Sequence, residues 1–317
     1  NLAGINFTYA TTAGSLSLIA IASTVNCTAT VTGTNFGTCE VGINNPSLYV
    51  ASAGNVGTAG GSINGIGVAV LSGNIAGRIY NRGTIVGSTS AIHFTSGATL
   101  TGGLTNAGLI NGVSGTAISM APGMLGGGLT NQRGGTITGA LSAINLDQTS
   151  IAGGLNNAGL ISGGYVGISL NASTIVGGLN VSSEGIVLGA EAIKALNSLV
   201  QGGINNSGII AALGASGAAI TATGATVTVN NAQYGHIIGN VLGTVDISNS
   251  GVLALQTVLN SGTLSRISGS HVNGSIAGNF VESNTGALIL GVAGTTGSGT
   301  TAGNFSVLTV AGAATLA

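Results

Sequence analysis

Carboxylates are the side chains of this sequence that come closest to catalytic chemistry, because glycoside hydrolysis uses two of them about 5–9.5 Å apart. The 317 residues include only six acids: Glu40, Asp147, Glu184, Glu191, Asp246 and Glu282. Glu184 and Glu191 lie within one unit of the repeat described below, but on different parts of its perimeter. Asp147 and Asp246 share a similar position four units apart, which is about 19 Å at the ordinary strand spacing. No pair fits a catalytic distance, so we do not expect an enzyme.

Histidines and basic residues are equally dispersed. His93, His236 and His271 fall in different repeat units, which argues against a metal site. No Gly-x-Gly fragment leads into the Gly-Lys-Ser/Thr of a phosphate loop, so no cofactor is expected. Five basic residues against six acids give a net charge of −1, too little for a patch that would hold nucleic acid or an anionic membrane. We expect the arginines, Arg133 among them, to be isolated surface charges.

The two cysteines could form a covalent link. Cys27 and Cys39 lie close together in the sequence, and Gly33 and Gly37 lie between them. An even number of cysteines close together in a glycine-rich segment predicts a disulfide and an oxidising compartment. The alternative is a pair of buried thiols.

A repeated phrase defines the elements that must position these residues. Gly-Gly-Leu-x-Asn-x-Gly-x-Ile-x-Gly, followed by Ala-Ile, recurs along the chain, and its period of about 25 residues falls in the range of known repeat architectures. The apolar residues that lead each copy follow one another at a nearly constant interval: Ile79, Leu104, Leu129, Leu155, Leu179, Ile204 and Val229. A fixed period of this kind indicates units that cannot bury an apolar face alone and must stack on their neighbours.

Alternating apolar residues, interrupted by glycine and asparagine, indicate short strands and tight turns within each unit. A helix is disfavoured because each glycine costs about 1 kcal/mol relative to alanine. A coil of about 25 residues has a perimeter of about 80 Å, at about 3.3 Å per residue, which fits three strands and three turns. We predict an all-β fold: a parallel β-solenoid, right-handed by the crossover rule. The repeats should cover residues 61–260, with atypical segments at 1–60 and 261–317.

Asparagine is the most regular polar residue of the repeat, two places after the lead residue. It occurs at six of seven equivalent positions, the exception being Val181: Asn81, Asn106, Asn131, Asn157, Asn206 and Asn231. Stacked amides can bond from coil to coil as a ladder; alternatively, each asparagine tolerates a left-handed turn. The glycine that follows is expected to supply a positive φ: Gly83, Gly108, Gly159 and Gly208. The residues directly after the lead residue do not form a threonine ladder, so ice binding is not expected.

Composition points to an exported structural protein. Of the 317 residues 59 are glycine and only 3% are charged, against about 25% in typical globular domains. No apolar run approaches the roughly 18 residues of a membrane span. The sequence starts at Asn1 without a visible signal peptide, and we expect a processed product.

The phrase Asn-x-Gly-x-Ile-x-Gly followed by Ala-Ile, clearest at residues 106–118 and 157–168, resembles the repeats of bacterial autotransporter passenger domains and related Gram-negative surface adhesins. The resemblance covers about residues 75–240. It implies a β-solenoid that is secreted or displayed on the bacterial cell surface. The translocator domain of that family has no counterpart after these repeats, and we expect that it has been removed or that export takes another route.

Both ends of the sequence are apolar and uncharged, which predicts self-assembly. Neither the segment before Glu40 nor the segment after Glu282 contains Asp, Glu, Lys or Arg. Soluble solenoids cap their ends with polar units, whereas these ends carry alternating apolar residues: Leu16, Leu18, Ile19, Phe305, Val307, Leu308 and Val310. We expect copies of the chain to join head to tail in an extracellular filament. The alternatives are a monomeric adhesin that binds cell-surface or matrix molecules, and a polysaccharide-degrading solenoid enzyme.

Overall fold

A computed structural model describes residues 6–12, 15–21, 30–31, 34–35, 38–42, 47–52, 55–57, 66–213, 217–258, 267–271, 274–276, 278–290 and 307–316. These residues form strands and turns, and no helix occurs among them. The first strands are β1 (Asn6–Thr12), β2 (Ser15–Ile21), β3 (Thr30–Val31), β4 (Thr34–Asn35), β5 (Cys39–Val41), β6 (Leu48–Val50), β7 (Asn55–Val56) and β8 (Ile66–Val70).

The regular coils follow. Their strands are β9 (Gly73–Ile75), β10 (Ile79–Asn81), β11 (Thr84–Gly87), β12 (Ser90–Phe94), β13 (Ala98–Leu100), β14 (Leu104–Asn106), β15 (Leu109–Gly112), β16 (Thr116–Met120), β17 (Gly123–Leu125), β18 (Leu129–Asn131), β19 (Thr136–Gly139), β20 (Ser142–Asp147), β21 (Thr149–Ile151), β22 (Leu155–Asn157), β23 (Leu160–Gly163), β24 (Val166–Asn171), β25 (Thr174–Ile175), β26 (Leu179–Val181), β27 (Ile186–Gly189), β28 (Glu191–Leu196), β29 (Leu199–Val200), β30 (Ile204–Asn206) and β31 (Ile209–Ala212).

The last coils are less regular. Their strands are β32 (Ala218–Asn231), β33 (His236–Ile238), β34 (Asn240–Asn249), β35 (Val252–Val258), β36 (Ile267–His271), β37 (Gly274–Ile276), β38 (Phe280–Glu282), β39 (Ala287–Leu290), β40 (Leu308–Val310) and β41 (Ala314–Leu316). Two of them, β32 and β34, replace several short strands by one long strand. This explains why Ile247 follows Val229 at a shorter interval than separates the other lead residues, although the two pair in register.

The predicted fold class is confirmed: the chain is an all-β, parallel β-solenoid of about 8 turns of about 25 residues. Equivalent positions of the repeated phrase pair directly, as when Leu104 and Asn106 lie beside Leu129 and Asn131. The stacked strands enclose one continuous apolar core. Parallel pairing also extends outside residues 61–260, since β6 pairs with β10 and β41 pairs with β38.

The regular coils have four strands, not the three expected from the perimeter. The coil that begins at β22 continues through β23 and β24 and ends with the short strand β25, which belongs to a six-stranded sheet of its own. A residue in the left-handed region precedes this fourth strand: Gln148, Ala172 and Asn197 have φ of 49°, 46° and 49°. One left-handed residue turns the chain sharply, which makes room for a fourth strand within the same coil length.

The glycines after the asparagines do not have the positive φ that the sequence predicts. None of Gly83, Gly108, Gly159 and Gly208 is among the described residues with positive φ. At Gly108 a Cβ would instead collide with the carbonyl oxygen of Gly83 in the preceding coil. Positive φ belongs to the second glycine of the Gly-Gly pair, for example 77° at Gly103 and Gly154. The glycine after the asparagine is therefore required by close stacking of the coils, and the second glycine of the Gly-Gly pair by its backbone conformation.

Candidate functional site

The asparagines after the lead residues form a buried ladder along the solenoid axis. Asn81 Nδ2 donates to Asn106 Oδ1 at 2.8 Å, Asn106 to Asn131 at 2.9 Å and Asn131 to Asn157 at 2.9 Å. The second N–H of each amide bonds a backbone carbonyl, such as that of Leu160 from Asn131 at 3.1 Å. Each buried amide is therefore satisfied by the neighbouring coil, which ties the coils together.

Val181 interrupts this inner ladder. Asn157 Nδ2 donates to the carbonyl of Ile186 at 3.0 Å, but the next ladder position is an apolar side chain with 2% exposure. The ladder resumes in the following coils, where Asn206 donates to Asn231 at 2.8 Å and Asn231 donates to Asn249 at 2.6 Å.

A carboxylate terminates the inner ladder, a feature that the sequence analysis missed. Asn249 Nδ2 donates to both Glu282 Oε1 and Oε2 at 3.0 Å, and Glu282 is only 8% exposed. Burial raises the pKa of Glu282, and the hydrogen bond from Asn249 acts against that rise. Every amide of the ladder donates toward the carboxyl-terminal end, so an acceptor-only group suits its last position. The sequence does contain a signal for this position, because Phe280, Glu282 and Gly286 have the same spacing as Leu129, Asn131 and Gly135.

A second buried polar column was also missed. The hydroxyls of Thr149, Ser173 and Ser198 are each 2% exposed and stack at the start of the fourth strand. The backbone N–H of Thr149 donates to Ser173 Oγ, and that of Ser173 donates to Ser198 Oγ, both at 3.0 Å. The column follows the left-handed residues and satisfies the backbone at that corner.

The residues directly after the lead residues form an outer row of amides on the surface: Asn156, Asn180, Asn205 and Asn230. Asn180 Nδ2 donates to Asn156 Oδ1 at 2.8 Å, Asn205 to Asn180 at 2.9 Å and Asn230 to Asn205 at 2.9 Å. This outer row donates toward the amino-terminal end, opposite to the inner ladder. The same face carries Tyr49 and Tyr80, whose rings stack with centroids 5.5 Å apart.

The structure places the acids in separate local contacts. Asp147 accepts from Asn171 at 2.7 Å, and Asp246 accepts from the backbone N–H of Asn279 at 2.7 Å. Glu191 bonds Lys194 at 2.8 Å within one coil.

The expectation that Arg133 is an isolated surface charge is wrong. Arg133 Nε lies 2.6 Å from Glu184 Oε2. The turns after β18 and β26 are long enough to bring the two charges together across the intervening coil.

Burial lowers the pKa of His93 and so favours the neutral form of its side chain. No group of three or more His, Cys, Asp or Glu side chains that could hold a metal ion occurs in the described part of the chain. Within that same part, no helix is long and apolar enough to cross a membrane.

Some of the predicted end and disulfide residues lie outside the described residues. Cys39 is fully buried in β5, but Cys27 is not described, and the disulfide stays a prediction. Leu16, Leu18 and Ile19 belong to β2, which pairs with β1 in an antiparallel hairpin separate from the solenoid sheets. Phe305 is not described.

The described carboxyl-terminal coil leaves apolar side chains uncovered. Leu308 and Val310 are partly buried against the core, Val307 is 39% exposed and Leu316 is 72% exposed. The opposite end differs, because Val31 and Cys39 of the first described coil are only 7% and 0% exposed.

The chain matches no protein-family model, no curated protein and no solved structure.

Proposed function

We propose that this protein is a structural subunit of a secreted or cell-surface bacterial filament, whose copies join end to end. The observation that carries the proposal is the open carboxyl-terminal coil. β40 and β41 pair with β37 and β38 on one side, and no described strand pairs with their other side. Unpaired strand edges template the addition of another chain.

Charge and apolar character favour another copy as the partner. The inward-facing residues of this coil are apolar, and no charged residue lies after Glu282 in the sequence. The hairpin of β1 and β2 is likewise uncharged and has two strand edges that belong to no solenoid sheet among the described residues. A joint between two different ends is heterologous and propagates into a filament unless it closes into a ring.

An extracellular location is supported by the repeated phrase, which resembles autotransporter passenger and adhesin repeats. A structural role is supported by the carboxylates, since five of them are held in separate contacts. A monomeric adhesin is the second candidate, because the outer row of amides offers a surface that assembly at the ends leaves open.

Leu316→Lys tests the joint. Leu316 is already 72% exposed, so a lysine is tolerated by the folded subunit but places a charge where the next copy would pack. The matched control is Thr315→Lys, which adds the same charge to the outward face of the same strand. We expect electron microscopy and sedimentation to show filaments for the parent and for Thr315→Lys, and monomers for Leu316→Lys. A parent that stays monomeric, or a Leu316→Lys variant that forms filaments of normal length, would contradict the proposal.

A further inference from the structure

From β14 onward, the turn after the lead strand has two lengths that alternate from coil to coil. Two residues connect β14 to β15, β22 to β23 and β30 to β31, whereas four residues connect β18 to β19, β26 to β27 and β32 to β33. Long turns therefore project from every second coil. The short turn at Ala158 lies between the long turns that carry Arg133 and Glu184, and the ion pair of these two residues spans it.

This alternation leaves a surface trough of about 260 Å³ beside the outer row. One wall is the outer row, the other is formed by the turns, and the floor is the lead strand of four successive coils. The trough is lined by Thr130, Asn131, Asn156, Asn157, Ala158, Asn180, Val181, Ser182, Asn205 and Ser207. The trough lies where Val181 interrupts the inner ladder. Asn157 therefore has no amide partner in the next coil toward the carboxyl terminus.

We propose that this trough binds a neutral oligosaccharide or polysaccharide chain lying along the solenoid axis. The proposal goes beyond end-to-end assembly and does not depend on it, because the trough lies on the side of the solenoid and not at its ends.

The chemistry of the lining selects an uncharged, hydroxyl-rich ligand. No lining residue is charged, and the charges on the flanking turns, Arg133 and Glu184, bond each other. Asn180 and Asn205 accept one amide bond each on Oδ1, and a carbonyl oxygen has a second lone pair for a ligand hydroxyl. Ala158 and the amide side-chain methylenes supply carbon surface against which the C–H face of a sugar ring can pack.

Other ligand classes fit less well. A peptide that binds by strand addition needs an open sheet edge, but β22 and β26 are paired on both sides. An anionic polymer would need a basic patch, and the trough has none. An apolar ligand would cover the hydroxyl of Ser182, which donates to the carbonyl of Asn157 at 3.3 Å, without satisfying its lone pairs.

Isothermal titration with cellohexaose and maltohexaose tests the proposal, with oligogalacturonate of the same length as the anionic comparison. Ala158→Leu adds a bulky side chain to the wall of the trough that the turns form. Ala107→Leu makes the same change at the equivalent short turn outside it. We expect a neutral hexasaccharide to bind the parent and Ala107→Leu equally, and to bind Ala158→Leu at least about tenfold more weakly.

Asn205→Ala is the second variant, and it keeps the test valid if Ala158→Leu does not fold. It removes a surface amide from the wall of the trough, and we expect a similar loss of affinity without a change in the circular dichroism spectrum. The proposal is overturned if neither neutral hexasaccharide binds the parent, if oligogalacturonate binds as well as they do, or if both trough variants bind with the parent's affinity.

Discussion

Single residues decide where the inner ladder is continuous. At Val181 the ladder lacks two amide–amide hydrogen bonds. Asn157 Nδ2 finds no amide oxygen in the coil of Val181, and Asn206 Oδ1 receives no hydrogen bond from an amide of that coil. The loss of hydrogen bonding is confined to this coil, since Asn157 and Asn206 on either side still donate to backbone carbonyls.

Val181→Asn should therefore stabilise the protein. It adds two buried amide–amide hydrogen bonds, each worth about 0.5–1.5 kcal/mol, and loses the burial of one valine. We expect a higher melting temperature in circular dichroism. Val229→Asn makes the same change at a buried lead position that has no ladder neighbour, and should lower the melting temperature. If both variants lose stability equally, the ladder does not accept an amide at Val181.

Ala172→Gly should stabilise the protein as well. Ala172 has a φ of 46°, and the left-handed region costs an L-residue about 1–2 kcal/mol. Glycine removes that strain but loses more backbone entropy on folding, so we expect a net gain of less than about 1 kcal/mol by denaturant unfolding. Ala152→Gly, at an exposed position without positive φ, should give a small loss. A loss at Ala172 as well would show that the left-handed turn is not strained.

Glu282→Gln should remove a dependence of stability on pH. Burial raises the pKa of Glu282 above its ordinary value of 4.5, so the folded protein holds this proton more firmly than the unfolded chain. Protonation of Glu282 then stabilises the fold as the pH falls from neutral toward 4.5, and that gain is lost as the pH rises through the raised pKa.

Glutamine still accepts from Asn249 but carries no charge, so the variant should be more stable than the parent at neutral pH and lack this gain on acidification. Melting curves of the two proteins from neutral to acid pH measure the difference in stability between variant and parent. Contributions from His93 and the other titratable groups are the same in both proteins and cancel in this difference. Glu184→Gln, at the exposed ion pair, is the control. A constant difference between variant and parent across this range would contradict the prediction.

At the scale of the strand and turn, the same amide–amide hydrogen bond occurs in two environments: buried in the inner ladder and at the surface in the outer row. Asn131 and Asn180 each take part in two amide–amide bonds between coils, but Asn131 is buried and Asn180 is half-exposed.

Asn131→Ala should cost more stability than Asn180→Ala. Removing Asn131 leaves buried partners without hydrogen bonds, at about 1–3 kcal/mol, whereas water replaces the partners of Asn180. Urea unfolding of the two variants measures the difference. Equal losses would mean that water reaches the inner ladder.

The sequence predicts the elements that depend on the repeat and misses those that depend on contact between coils. Period and alternation are enough for the parallel solenoid, because Leu104 must lie over Leu129 if each unit stacks on the next. The glycine at Gly108 is required by a carbonyl of another coil, which spacing alone does not reveal. Glu282 joins the ladder only because the chain returns to the ladder position 33 residues after Asn249.

At the scale of the whole molecule, the two ends of the rod are different. Val31 and Cys39 of the first described coil are covered, whereas the last described coil exposes Leu316. A solenoid is held by contacts between neighbouring coils alone. The first coil has a neighbour on one side only, so a covalent link within it would add to its stability.

We predict that Cys27 and Cys39 are bonded in the native protein and fix the amino-terminal end. A loop of this size contributes on the order of 3 kcal/mol. Peptide mapping by mass spectrometry without reduction should show one linked peptide. Two free thiols in native material would disprove the link, and Cys27→Ser should lower the melting temperature if it is present.

Because the strands run across the axis, the hydrogen bonds between coils run along it, and this determines how the rod responds to force. Tension on the two ends does not shear many bonds at once but peels one coil from the next. Each coil of about 25 residues releases on the order of 80 Å of chain as it opens. A molecule built this way yields in small successive steps under load and absorbs work as an extensible tether, with a new end coil exposed to the pull after every step.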